Sequence, residues 1–357
     1  LKFKSSPNRM LPRQLSKTFF NLLIICLLLL NSACTKPNFY EKKFLVYGTI
    51  LEFKFFQTPE NIADEAMANI IAQLNELNSI FHPWQNTVIK KFNNNHIAKI
   101  CDDRQIQIIY RASHYEKVTN GFFNPAIGAL IEAWGFHTDE IVKKIPDDAL
   151  INKIINSRPS LKQLNLNKGC LEKVNHFLQI DLGGMIKGYA LDLAKDEYQK
   201  LNIKNVLTNF GGNIYAHGQP ENRFWEVAIQ DPYDQTQLLA KLKLPPGSAI
   251  GTSGNYEKYF INNGKRYSHL INPINGSAFS NHSSATVFIS PQDEVGVKSD
   301  VYSKPFYFSS DLKQTQLDMN FNSFFVTDLN RNIYITESML ENIEWIFEEG
   351  KYFVQGI

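Results

Sequence analysis

Apolar positions recur at helical spacing from Ile62 through Ala66, Ile70, Leu74 and Leu77 to Phe81, which predicts a long amphipathic helix whose stripe belongs to the core. Thr58-Pro59-Glu60 just ahead of it reads as a helix start, with Thr58 as N-cap and Pro59 at the first helical position. Residues 43–56 are apolar and aromatic with partial alternation, and read as a strand. An apolar region at 125–136 leads into a polar linker around 139–148, a helix over 147–157, and a loop into a helix over 181–201. Beyond it the period shortens. Residues 206–210, 225–230, 238–244, 256–261, 285–289, 323–327 and 333–335 read as strands parted by Gly, Pro and Asn. Asn262-Asn263-Gly264 predicts a hairpin turn, because Asn and Gly tolerate positive φ. Strands and helices interleave without a regular βαβ period, so the expected fold class is α+β, with mixed or antiparallel sheets and packed helices.

The first residues carry a different pattern. Arg9, Arg13 and Lys17 precede an apolar run over 19–30 that only Asn21 interrupts. That run falls short of the roughly 18–20 residues that span a bilayer as a helix, and suits a secretory leader. Ser32-Ala33-Cys34 then resembles a bacterial lipoprotein cleavage site, although Asn31 stands where an aliphatic residue is usual. The expectation is a removed leader over 1–33, lipidation and membrane anchoring at Cys34, a tether over 34–42 and one domain over 43–357. An ordinary signal peptide and an uncleaved signal anchor are the alternatives. Cys101 and Cys170 lack any C-x-x-C spacing, and are either a disulfide in an oxidising compartment or buried thiols.

Composition narrows the class. A chain of 357 residues that is 43% hydrophobic and 20% charged, with a net charge of +2, is too apolar to be disordered and lacks the basic excess of a nucleic-acid binder. Four cysteines in this length do not make a disulfide scaffold.

Three stretches carry candidate chemistry. In the first, Gly183-Gly184 permits close backbone approach to a ligand, the following helix start offers free N–H groups to an anion, and Lys187 adds a cation; Asp192 lies one turn on. A helix cap with an incidental lysine is the plainer account. The second packs Thr252, Ser253 and Gly254 ahead of His269, a side chain that titrates near neutrality and suits general-base work, though a lone His is more often structural. The third sets Lys304 four residues after Asp300, ordinarily a solvated ion pair. No Rossmann fingerprint follows a strand.

Taken in order, the segments resemble the ApbE family of periplasmic FAD:protein FMN transferases. The resembling residues are Thr119-Asn120-Gly121-Phe122-Phe123-Asn124-Pro125, Trp134-Gly135-Phe136, residues 181–192, Asn209-Phe210-Gly211-Gly212-Asn213-Ile214, Thr252-Ser253-Gly254-Asn255-Tyr256 and residues 269–276. Residues 300–304 stand in the place of the family's Asp-Ala-Leu-Ser-Thr-like segment. The resemblance implies two closely joined lobes that bind FAD, cleave its pyrophosphate and transfer FMN to a Thr or Ser hydroxyl of a partner flavoprotein, with Mg²⁺ near the pyrophosphate. It implies that Asp300 and the Gly184 carbonyl hold the metal, and that Gly183, Gly184, Lys187, Asp192, Thr252, Ser253 and Gly254 lie in the FAD site. His269 and Asp300 would be the catalytic residues, and the protein would sit on the periplasmic face of the inner membrane. The chain departs from the pattern at Asn124, Asn272 and Asn275, and most seriously at Lys304, which stands where the family places a Thr metal ligand. A protonated lysine does not coordinate a metal. Lys304 therefore keeps open a binding-only FAD lipoprotein, and hydrolysis of FAD to FMN and AMP lies between the two.

Overall fold

A computed structural model of the chain describes residues 39–356 other than 139 and 349; the leader, Cys34, the start of the tether and Asp139 of the polar linker lie outside the described residues. A nine-stranded sheet runs in the order Phe39–Val46, Thr49–Phe56, Val206–Phe210, Asn213–His217, Ala249–Gly254, His282–Ile289, Phe324–Asp328, Asn332–Ile335, Phe353–Gly356. The last pair is parallel and the pairs from Thr49–Phe56 to Asn332–Ile335 are antiparallel, so the sheet is mixed. The helices Glu60–Phe81, Ile186–Lys200 and Val295–Phe308 contribute to the same apolar core as this sheet. A second core joins Leu130 and Trp134 to Ile154, Phe260 and Ile271. It gathers the helices Gly128–Ala133 and Asp148–Asn156 around the hairpin Tyr259–Asn262/Lys265–Ser268. The α+β reading holds.

Several boundaries move, each for a local reason. The predicted strand over 43–56 is two strands, because Tyr47 and Gly48 take φ of 52° and 71° and turn the chain back. Pairing begins at Phe39, so the end of the expected tether is strand. The helix predicted over 62–81 forms as Glu60–Phe81, but Pro59 holds the cap position and the Thr58 hydroxyl donates backwards to the Phe56 carbonyl at 3.4 Å. Asn263 and Gly264 turn with φ of 48° and 74° as expected of that hairpin, while its first strand starts only at Tyr259. The central strand His282–Ile289 is buried along its full length, and its His-Ser-Ser start hides it from an apolar pattern.

Cys101 and Cys170 form a disulfide at a sequence separation of 69 residues. The two residues flank paired strands, with Lys99 opposite Glu172 and Ile100 opposite Leu171. That register decides between the two readings of these cysteines.

Candidate active site

Two helices cross at glycines. A Cβ on Gly188 would stand 2.3 Å from the Gly296 carbonyl and 2.8 Å from Asp300 Cβ, and one on Gly296 would stand 2.3 Å from the Gly188 carbonyl. Only residues without side chains allow this approach of Ile186–Lys200 to Val295–Phe308. At the crossing each helix caps the other. The Gly188 N–H donates to Asp300 Oδ2 at 3.0 Å, and the Gly296 and Val297 N–H groups donate to the two oxygens of Asp192 at 2.8 and 3.0 Å. Neither helix has a side-chain cap of its own, so each carboxylate satisfies N–H groups that would otherwise lack a partner. Asp192 therefore caps the helix Val295–Phe308. Burial pushes its carboxyl up to about 6 against the pull of those two N–H bonds.

Asp300 faces a second group. Lys304 Nζ donates to Asp300 Oδ1 and to the Asp300 carbonyl, each at 2.8 Å, and the lysine is 7% exposed. Burial pushes the ammonium's pKa down, against the pull of Asp300. A Cβ on Gly184 would lie 2.9 Å from Lys304 Cε and 3.4 Å from the Phe123 ring, so the loop before the first helix rests on the lysine stem. Gly183 is exposed, and its N–H donates to Asp181 Oδ1 at 2.7 Å. Lys187 donates to the Gly211 carbonyl at 3.2 Å, in the turn between Val206–Phe210 and Asn213–His217.

His269 completes the group. Its Nδ1 lies 3.1 Å from the Lys258 carbonyl, which only accepts, so Nδ1 carries the proton and Nε2 keeps a lone pair. Burial, with the charges of Lys187, Lys258 and Lys304 adding to it, pushes the imidazole down to about 4 and keeps it neutral. The structure thus brings Gly184, Lys187, His269, Asp300 and Lys304 into one electrostatic neighbourhood.

Thr252, Ser253 and Gly254 have other work. The Ser253 hydroxyl lies 2.7 Å from that of Ser303, which in turn donates to the Asp300 carbonyl, and Thr252 bonds across the sheet to Thr286 at 2.8 Å. A Cβ on Gly254 would meet the Tyr256 ring at 2.4 Å. Ser253 thus links the strand to the helix that carries Asp300, and Thr252 links it to the next strand. Ser303, Phe123 and Asn213 fall within the resembling segments, but residue type alone assigns none of them a role at the site. The Asn213 Nδ2 is buried and has no hydrogen-bond partner among the described residues, and its Oδ1 would lie 3.0 Å from a Cβ on Gly251, so it packs at the strand that faces this helix. A cavity of about 500 Å³ is lined by Tyr233, Asn255, Arg266, Ser268 and Tyr307, and His269 is not part of its lining.

The departures at Asn124, Asn272 and Asn275 make turns. Asn124 accepts from the Ala126 N–H at 2.8 Å and donates to the Pro159 carbonyl at 2.9 Å, a donation an ionised Asp could not make. Asn272 and Asn275 each accept from the N–H two residues on, at 2.9 and 3.0 Å. Trp134 Nε1 donates to the Gly276 carbonyl at 2.8 Å, tying two of the resembling motifs together in the second core.

Fold and site together define an α+β protein with lysines and glycines gathered at a helix crossing. The family profile described as the ApbE family matches residues 47–317, and the chain belongs to that family. It is 34% identical over 236 residues to a Rhodobacter capsulatus protein named FAD:protein FMN transferase, a match covering 65% of this chain and 45% of that one. The chain thus spans about half the length of that relative. A Vibrio cholerae protein of the same name is 27% identical over 269 residues, covering 73% of this chain and 79% of that one. Among solved structures, the ApbE protein of Thermotoga maritima superposes with a TM-score of 0.75 at 24% identity, covering 85% of this chain and 99% of that one. The flavin transferase ApbE of Vibrio cholerae gives 0.69 at 20% identity, covering 86% and 100%. Both show the same fold.

Proposed function

We propose that this chain binds FAD and transfers its FMN part to a Thr or Ser hydroxyl of a partner flavoprotein, releasing AMP. Family membership and the names of the relatives support the reading. The observation that carries it is the neutral His269, with Nδ1 fixed on the Lys258 carbonyl and Nε2 left to accept a proton. In the reaction, the acceptor oxygen forms a bond to the FMN phosphorus while the bond from that phosphorus to the bridging oxygen breaks. AMP leaves with the bridging oxygen and its electron pair, and the acceptor's proton passes to His269 Nε2. Lys187 holds a cationic head at the glycine turn, where it opposes phosphate charge.

The Mg²⁺ that the resemblance implies meets a poor donor set. This ion demands near-octahedral oxygen ligands. One Asp300 oxygen and the Asp300 carbonyl are engaged by the Lys304 ammonium, and the other carboxylate oxygen by the Gly188 N–H. No group of three or more His, Cys, Asp or Glu that could hold a metal ion occurs among the described residues. The residues present do not fit the ion.

The test is to incubate the purified chain with FAD and candidate acceptor proteins and look by mass spectrometry for covalent FMN on a Thr or Ser. Bound FAD without covalent flavin on any acceptor would support the binding-only reading that Lys304 favours. Release of FMN together with AMP in the absence of acceptor would indicate hydrolysis.

A lipid-anchored protein on the periplasmic face of the inner membrane is the matching proposal for location. The basic and apolar pattern of residues 9–34 and the Cys101–Cys170 disulfide, a bond that persists in oxidising compartments, support it. Among the described residues no helix is long and apolar enough to cross a membrane. Lipid mass on Cys34, and release from the membrane fraction on Cys34→Ser, are the expected results.

A further inference from the structure

We propose that Lys304 supplies, as a fixed part of the chain, the positive charge that a divalent cation would bring to a diphosphate, so that FAD binds here without metal. The inference rests on the flavin reading above. Its ground is the placement of the ammonium. Lys304 is buried on the helix Val295–Phe308, and its Nζ is held at 2.8 Å from both Asp300 Oδ1 and the Asp300 carbonyl. A dication at Asp300 would compete with the ammonium for Oδ1. The lysine stem lies under Gly184, where a Cβ would come within 2.9 Å of Cε, so the backbone that begins the other helix closes over it. Any larger residue at 184 would displace the lysine.

The charges balance in favour of an anion. Lys187 and Lys304 act on one another and both act on His269, which stays neutral, while Asp300 is the carboxylate bonded to Lys304. Of the charges that act on His269 and Lys304, three lysines (Lys187, Lys258 and Lys304) stand against the one carboxylate of Asp300, a positive balance that suits a diphosphate. An ammonium has three N–H donors. Two are engaged by Asp300, and the third is unclaimed among the described residues. An ammonium binds phosphate as a point charge and needs no coordination shell of water and carboxylates. Burying it is costly without a counter-ion, and Asp300 is that counter-ion in the absence of ligand.

The experiment is FAD binding to the full chain, followed by quenching of flavin fluorescence, in excess EDTA and again in millimolar Mg²⁺. The expected Kd is the same in both buffers within about twofold, and Lys304→Met weakens binding in both by about tenfold or more, the value of one charge-assisted contact. Lys304→Thr binds weakly in EDTA and recovers about tenfold or more with Mg²⁺, because an oxygen ligand then replaces the ammonium beside Asp300. The EDTA and Mg²⁺ comparison on the unaltered chain needs no variant to fold. Binding by that chain only in the presence of Mg²⁺, or stoichiometric Mg²⁺ uptake by its FAD complex in calorimetry, would overturn the inference and leave the flavin reading standing. No FAD binding in either buffer would overturn both.

Discussion

His269 shows how far a side chain's chemistry depends on what surrounds it. An ordinary imidazole titrates near 6.5; this one is pushed down to about 4 by burial and by nearby lysine charges. The base form is therefore retained through mildly acidic pH, and the acid limb of FMN transfer is expected to fall at about pH 4, well below the ordinary range. A pH–rate profile on the unaltered enzyme checks this; an acid limb at 6.5 would show that His269 is not the base. His269→Ala is expected to slow transfer by roughly 10²–10⁴-fold with FAD affinity little changed. The same shift affects stability. Between the two values the unfolded chain binds the proton and the folded one does not, so stability rises with pH across that window and is lost as pH falls below the ordinary value. His269→Asn removes that dependence, which urea titrations at two pH values would detect. The sequence offered His269 and Lys187 as candidates by residue type. Which imidazole nitrogen is free depends on the Lys258 carbonyl, eleven residues away along the chain.

At the scale of elements, the crossing of Ile186–Lys200 with Val295–Phe308 holds the site together. Gly183 and Gly184 read as ligand-approach glycines from sequence, but the tightest contact is at Gly188, whose would-be Cβ lies 2.3 Å from the Gly296 carbonyl. Gly188→Ala forces the helices apart, and a loss of about 1–3 kcal/mol is expected in equilibrium denaturation. Because Asp300 rides on the second helix and caps the first at Gly188, FAD affinity should fall with it. An unchanged midpoint would show that the crossing relaxes without strain. The sequence around Asp300 and Lys304 predicts no more than a short helix before Pro305. The helix runs as Val295–Phe308 through that proline, and most of its residues are buried, so it presents no polar face from which a period is read. The cap that Asp192 places on the neighbouring helix is equally hidden in the sequence, because Gly296 lies more than a hundred residues further along the chain.

Across the whole molecule, the disulfide and the two cores set what one region contributes to another. Cys101–Cys170 closes a loop of 69 residues that includes the second core's helices Gly128–Ala133 and Asp148–Asn156. Reduction, or Cys101→Ser with Cys170→Ser, is expected to cost about 2–5 kcal/mol. A lowered melting temperature in reductant, absent from the double variant, is the check; identical melting with and without the bond would show that it adds nothing. Read along the chain, the sequence is enough for the long helix Glu60–Phe81, about half of the strands, the hairpin at Asn263-Gly264 and the family, because periodicity, turn residues and motif order are local properties. Only the packed chain shows that the cysteines pair, that Thr252, Ser253 and Asp192 hold elements together, and that the Asp300–Lys304 pair is buried where spacing alone predicts a solvated one. Each of these depends on which segments meet in space, and on which acceptor a donor finds once water is excluded, and residue spacing along the chain encodes neither.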